Sequence, residues 1–236
     1  MDVDSICAAA ARSGHVDVLK WLVQEECTIN QYTCAAAAEG GHLHILIWLR
    51  ERATPCPWDA RTCAMAVIAG HVQVIKWARE NGCPWNQEEC WRAAIRKGHL
   101  NILKWARENG YQWGAKTCSL AAELGRWEIL KWARANNCPW DEQTCAYAAK
   151  KGPLDALKWA RQNGCPWDER TTCWAYLAYQ HQILEWAVAQ GCPFDEEAAI
   201  ETRRQEEEHL ERWFEDVKAI VRRGCGRGRG RRRRQV

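Results

Sequence analysis

Fourteen cysteines and seven histidines are the groups with the greatest chemical reach in this 236-residue chain, and their spacing decides which chemistry is open to them. Cys56/Cys63, Cys83/Cys90 and Cys138/Cys145 each lie seven residues apart, and thiolates are good zinc ligands. Equivalent positions in adjacent structural units, however, sit about 8–10 Å apart, too far to share an ion whose sulfur bonds are about 2.3 Å. No Cys-x-x-Cys occurs. The periodic placement therefore predicts a small, buriable residue filling a repeated core position, with neither metal nor disulfide. His15, His42, His71 and His99 each follow a glycine (Gly14, Gly41, Gly70 and Gly98). A ladder of imidazoles could relay protons, but directly after a helix-ending glycine the ring is placed to hydrogen-bond backbone groups of the turn and its neighbour. Gly125-Arg126 and Gly152-Pro153 interrupt the ladder. No nucleophile stands near a base and an orienting acid, and no Gly-rich phosphate loop precedes a helix. The expectation is no catalysis and no cofactor.

The elements that hold these residues are announced by tryptophan. Trp21, Trp48, Trp77, Trp105, Trp132, Trp159, Trp186 and Trp213 are separated by 27, 29, 28, 27, 27, 27 and 27 residues. A period in this range marks a stacked array whose units bury their apolar faces against one another. Around each tryptophan one phrase returns, as in Thr144 to Trp167. It reads as two helices. The first is capped by Asp141 or Thr144 and runs to Gly152, where the absence of Cβ is expected to let the chain turn left-handed. The second carries apolar residues at Leu154, Leu157 and Ala160 and ends at Asn163-Gly164, before Pro166. Seven such pairs begin near Cys7, Cys34, Cys63, Cys90, Cys118, Cys145 and Cys173. Their tryptophans are expected to form a buried core row.

The eighth phrase dissolves into a charged run with apolar residues at Leu210, Trp213, Phe214, Val217, Ile220 and Val221, the spacing of a capping helix with a polar outer face. The predicted organisation is a repeat array over 1–195, a charged C-terminal capping helix over 196–222 and a disordered Arg/Gly-rich tail over 223–236. From residue 222 onward there are eight arginines and no acid, which leaves −5 for the rest of a chain whose total is +3. The tail, with Arg227, Arg229, Arg231, Arg232, Arg233 and Arg234, suits a nuclear-import signal, a nucleic-acid contact or a solvated end.

The phrase Ala-Ala-x-x-Gly-His-Leu-x-x-Leu-x-Trp-x-x-x-x-Gly, clearest at Ala37 to Leu49 and present with one residue inserted at Ala94 to Gly110, resembles the middle of an ankyrin repeat. The Gly-His pairs match it directly. The family's Thr-Pro-Leu-His opening is missing, with Cys where its core Leu stands, and each unit is about six residues shorter than the family's 33. The chain most resembles the short Trp/Cys-rich ankyrin-like repeats of large DNA viruses and protists. The resemblance implies an all-α, helix-turn-helix ankyrin-like solenoid of about seven repeats with shortened hairpin fingers and a C-terminal capping helix.

A second tryptophan row, Trp58, Trp85, Trp113, Trp140 and Trp167, falls in the turns with Phe194 in the same place. It can brace each turn on the next helix pair, or anchor a partner, since tryptophan is enriched at interface hot spots. Beside it the residues vary: Asp59 and Arg61, Gln87 and Glu88, Gly114 and Lys116, Glu142 and Gln143, Glu169 and Arg170. Variation at a fixed place in a repeat is where specificity is written, so these are the candidate partner-binding residues. The function expected is a non-catalytic protein-interaction scaffold or adaptor, monomeric and intracellular, either cytoplasmic or nuclear. The alternative is a nucleic-acid-associated protein held through its tail, and the remotest reading is a metal or redox protein built on the cysteine rows. There is no run of about 18 apolar residues, so no membrane span is expected.

Overall fold

A computed structural model describes residues 3–114 and 116–205, together with residues 208, 211, 212 and 218. The chain forms seven helix pairs, and no strand occurs among the described residues. The pairs are α1 (Val3–Arg12) with α2 (Val16–Gln24), α3 (Gln31–Glu39) with α4 (Leu43–Arg50), α5 (Ala60–Ala69) with α6 (Val72–Glu80), and α7 (Gln87–Lys97) with α8 (Leu100–Glu108). They continue with α9 (Thr117–Glu123) and α10 (Trp127–Ala135), α11 (Glu142–Lys151) and α12 (Leu154–Gln162), and α13 (Glu169–Leu177) and α14 (His181–Ala189). Within a pair the helices lie against each other, and each first helix packs on the first helix of the next pair. This is the helical repeat solenoid that the tryptophan period predicts.

Local chemistry starts and stops each helix. Asn30, Asp59, Asn86 and Asp168 precede first helices in extended backbone, and their side-chain oxygens accept from Tyr32, Arg61, Glu89 and Arg170 backbone N–H groups. Between the helices of a pair, Gly14, Gly41, Gly70 and Gly98 adopt φ of 77–89°, a conformation that costs glycine nothing. The histidine that follows reaches back one pair. His42 Nε2 lies 3.0 Å from the Arg12 carbonyl oxygen, His71 Nε2 3.1 Å from that of Glu39, and His99 Nε2 3.2 Å from that of Ile68. Arg126 takes the vacant histidine place and donates to the Arg96 carbonyl at 2.5 Å. The ladder is a row of backbone clamps.

Two expectations need correction. Gly152 is not left-handed: it sits at φ −89°, ψ 163°, because Pro153 disfavours helical backbone in the residue before it. The second-helix tryptophans are also not core. The fully buried side chains are aliphatic residues such as Leu19, Ile45, Leu46, Leu49, Ile75, Ile102, Leu103, Leu130 and Leu157, together with small alanines and cysteines. Trp48, Trp77, Trp105, Trp132, Trp159 and Trp186 are half-buried, and Trp21 is 57% exposed. Helical geometry explains this. Leu103 and Ala106 share the buried stripe at i, i+3, whereas Trp105, at i+2 from Leu103, falls on its margin.

Beyond α14, residues 196–205 are helical and lie against the last pair. Ala199 is fully buried, and the Arg203 guanidinium donates to the Tyr176 carbonyl at 2.8 Å while lying over the Tyr176 and Tyr179 rings. The apolar row expected of the capping helix, from Leu210 to Val221, and the arginine-rich tail lie outside the described residues. No described helix is long and apolar enough to cross a membrane.

Candidate protein-interaction surface

The turn that closes each pair is a repeated aromatic joint. Trp58, Trp85, Trp113, Trp140 and Trp167 are all half-buried. Each meets, edge to face, the tryptophan on the second helix of the following pair: Trp77, Trp105, Trp132, Trp159 and Trp186, at centroid distances of 5.3–6.1 Å. The turn ring is also covered by an arginine from the last turn of the preceding helix. Arg50, Arg107, Arg134 and Arg161 stand 4.0–4.5 Å from the ring centroids of Trp58, Trp113, Trp140 and Trp167. Several of these arginines also fasten the turn, Arg50 donating to the Cys56 carbonyl at 2.6 Å and Arg107 to that of Tyr111 at 2.8 Å. Such ring pairs and cation–π contacts contribute about 0.5–1.5 kcal/mol each. The two tryptophan rows are thus one ladder that joins consecutive pairs, and the turn row braces the fold.

The cysteines pair within a unit. Cys34 with Cys56, Cys63 with Cys83, Cys118 with Cys138 and Cys145 with Cys165 are hydrogen-bonded thiols, one on the first helix and one in the closing turn. The turn thiols also approach the preceding turn, Cys56 donating to the Asn30 carbonyl at 3.2 Å and Cys192 to that of Asp168 at 3.3 Å. Hydrogen bonding to the paired thiol, and then burial, pushes Cys34, Cys63, Cys118 and Cys165 upward. Burial, and then the nearby Glu89 carboxylate, raises Cys90, whose turn partner is replaced by Tyr111, to about 12. The same thiol–thiol hydrogen bonds, helped by nearby arginines, lower the turn thiols Cys56, Cys83 and Cys138, so one thiol of each of these pairs ionises more readily than the other. Among the described residues no three His, Cys, Asp or Glu side chains cluster as metal ligands would.

The variable turn residues divide into two sets. Asp59, Arg61 and Arg170 are occupied: Asp59 caps α5 and pairs with Arg61 at 2.8 Å, Arg61 also lies over Tyr32 of the preceding pair, and Arg170 pairs with Asp168 at 2.6 Å. Glu142 and Glu169 sit in the first turns of α11 and α13. Gln87, Glu88, Gly114, Lys116 and Gln143, from three different units, instead come together around a groove of about 640 Å³. Its remaining walls are Trp91, Arg92 and Ile95 on α7, Thr117, Ser119, Leu120 and Glu123 on α9, and Tyr147 on α11.

The groove exists because one junction departs from the repeat. After the first-helix cysteine the units carry alanine at Ala8, Ala35, Ala64 and Ala146 and serine at Ser119; α7 carries Trp91, and the last pair, on α13, carries Trp174 after Cys173. That indole is only 4% exposed, donates its N–H to Thr117 Oγ1 at 3.0 Å, and meets Trp113 edge-on at 5.5 Å. It stands between α7 and α9, where the α3–α5 junction has only the methyl group of Ala35. Beside it, Gly114 takes the place of the capping Asn or Asp four residues before the cysteine, so α9 begins late and spans seven residues against nine in α3. With glycine in place of a side chain that accepts from the first N–H groups, a helix loses a few tenths of a kcal/mol, about 0.3, of N-terminal support. Trp91, Arg92, Ile95, Leu120, Glu123 and Tyr147 were not legible as site residues. The available signal was a bulky residue at a position that is small in most other units.

Comparison with known proteins bears on the fold alone. No protein-family model matches the sequence, and no curated protein matches it. Among solved structures, the human ASB11 ankyrin repeat domain superposes with a TM-score of 0.58 at 16% identity, over 68% of this chain and 84% of that one. The fold is that of an ankyrin repeat array. In this chain the turns between pairs are reduced to the tryptophan joint.

Proposed function

We propose that the chain is a non-catalytic protein-binding scaffold whose contact surface centres on the groove between α7, α9 and α11. The observation that carries this reading is the convergence of Gln87, Glu88, Lys116 and Gln143, variable turn residues of different units, on a cavity with an aromatic floor. Residues that vary at a fixed place in a repeat are free of the core's demands, and a concave apolar site rimmed by polar groups is the usual form of a recognition surface. The turn tryptophans support it indirectly by holding consecutive units in register. Trp58, Trp140 and Trp167 remain partner-binding candidates through their exposed edges.

The test is affinity capture with the full chain against a Gln87→Ala, Glu88→Ala, Lys116→Ala, Gln143→Ala variant. Exposed substitutions of this kind change stability by less than about 0.5 kcal/mol each, so the variant should melt close to the parent while losing its captured partners. An unchanged partner set places recognition elsewhere on the array. A second reading, nucleic acid held by the tail, rests on the eight arginines from residue 222 onward and the absence of acid there. If all engage a single strand, the logarithm of affinity falls with that of salt at a slope of roughly −5 to −6, and deleting 222–236 abolishes it.

A further inference from the structure

We infer that the groove between α7, α9 and α11 takes a short peptide segment with one large apolar side chain, flanked closely by one basic and one acidic residue. This deepens the protein-binding reading and rests on it. The anchor follows from the walls: the half-buried Leu120 and Tyr147 present apolar surface inside about 640 Å³, over the buried Trp91 and Ile95. That is within the range of about 300–1,000 Å³ that accommodates a ligand of several side chains' size. Burial and the nearby Glu123 and Asp141 carboxylates push the Tyr147 phenol up, so it stays neutral and able to donate a hydrogen bond.

Charge sets the flanks. Glu88, Arg92, Lys116 and Glu123 line the groove, and none of the four makes an ion pair or side-chain hydrogen bond with another described residue. The contrast with Asp59–Arg61 and Asp168–Arg170, satisfied within their own units, is direct. Two acids and two bases give no net field. A polyanion meets Glu88 and Glu123, a polycation meets Arg92 and Lys116, and each pays for the like charges at close range. A segment carrying one charge of each sign satisfies both. The Gln143 amide, also without a side-chain hydrogen bond to a described residue, can serve an extended peptide backbone, for which it offers both donor and acceptor.

The experiment uses fluorescein-labelled, C-amidated Gly-Lys-Gly-Phe-Gly-Glu-Gly and the full chain, read by anisotropy. Companion peptides replace Phe with Leu or Gly, or make both charges Lys or both Glu, and a labelled twelve-nucleotide oligo-dT is the polyanion control. The Phe and Leu peptides should bind at least about tenfold more tightly than the Gly peptide, the gain from burying one such side chain. The two like-charge peptides should each bind severalfold more weakly than the mixed one. Trp91→Ala, which removes the floor, and Leu120→Arg, which fills the groove from an accessible position, should each reduce Phe-peptide binding at least about tenfold, with folding checked by circular dichroism. Leu120→Arg keeps the test decisive if Trp91→Ala loses structure. Equal binding of the Gly and Phe peptides, preference for a like-charge peptide or the oligonucleotide, or full binding to Leu120→Arg overturns the inference. If no peptide binds while the fourfold variant still loses captured partners, the peptide chemistry is wrong and the scaffold reading stands. If the fourfold variant captures normally, that reading falls on its own account.

Discussion

The junction between α3 and α5 and the junction between α7 and α9 are built from the same phrase and pack differently. In the first, Ala35 is buried, Asp59 caps α5, and the two helices lie against each other. In the second, Trp91 stands where Ala35 does, Gly114 stands where Asp59 does, and a groove opens. Two residues make the difference: one adds bulk between the helices, the other withdraws the hydrogen bond that starts the second of them. A stacked array is stable through nearest-neighbour contact, so a local substitution changes one interface and leaves the others in register. Irregularity in such a molecule is a place where selection for something other than stacking can be read.

The largest effects separate the two regions through their cores. Leu46→Ala, at a fully buried site under the regular stack, should cost about 2–5 kcal/mol. Leu103→Ala, equally buried on α8 beside the irregular junction, should fall lower in that range, because the cost of a cavity depends on how readily the neighbours close over it. Equal losses in chemical denaturation would remove the claim that the α7–α9 junction is the looser one. Next in size is Gly41→Ala. Its φ is +77°, and a Cβ there would come within 2.6 Å of the His71 ring, so the loss should be about 1–3 kcal/mol and should fall on the α3–α5 junction alone. Hydrogen exchange should show α3 and α5 opening before α9 and α11.

Smaller effects sharpen the comparison. Trp105→Ala should cost less than about 3 kcal/mol, since the ring is half-buried between Trp85 and Tyr111. A loss at the top of the core range would restore it to the core. Gly114→Asp should gain a few tenths of a kcal/mol, about 0.3, by restoring the missing cap, visible as a slightly higher melting temperature. Thiol labelling gives the finest contrast. At pH 9 Cys90, raised to about 12, stays protonated in its buried place, so iodoacetamide should reach the half-buried Cys27 and Cys173 first. Rapid native-state labelling of Cys90 would show that α7 opens freely.

Much of this was legible in the residues. The tryptophan interval gave the number of pairs, and Gly-His marked the turn within each pair, because both recur and repetition amplifies a weak local signal. The burial of the tryptophans was misjudged for a geometric reason: a residue two positions from the core leucine lies on the flank of the helix, and its indole found a partner in the next turn. Gly152 was misjudged because the proline after it outweighs glycine's freedom. The groove was missed because reading by period averages over units, and Trp91 and Gly114 are departures from the average. Gln87, Glu88, Lys116 and Gln143 were recognised as variable, but their meeting requires the three-dimensional stack.

The central claim is that the irregular junction, and not the regular stack, is the recognition surface. Its most direct test is partner capture by a Trp91→Ala, Gly114→Asp variant, which gives the α7–α9 junction the residues of the α3–α5 junction. The account predicts a folded protein, with the cap offsetting part of the lost indole packing, that no longer retains the partners of the parent chain. Retention of the same partners at undiminished yield by that folded variant would contradict it.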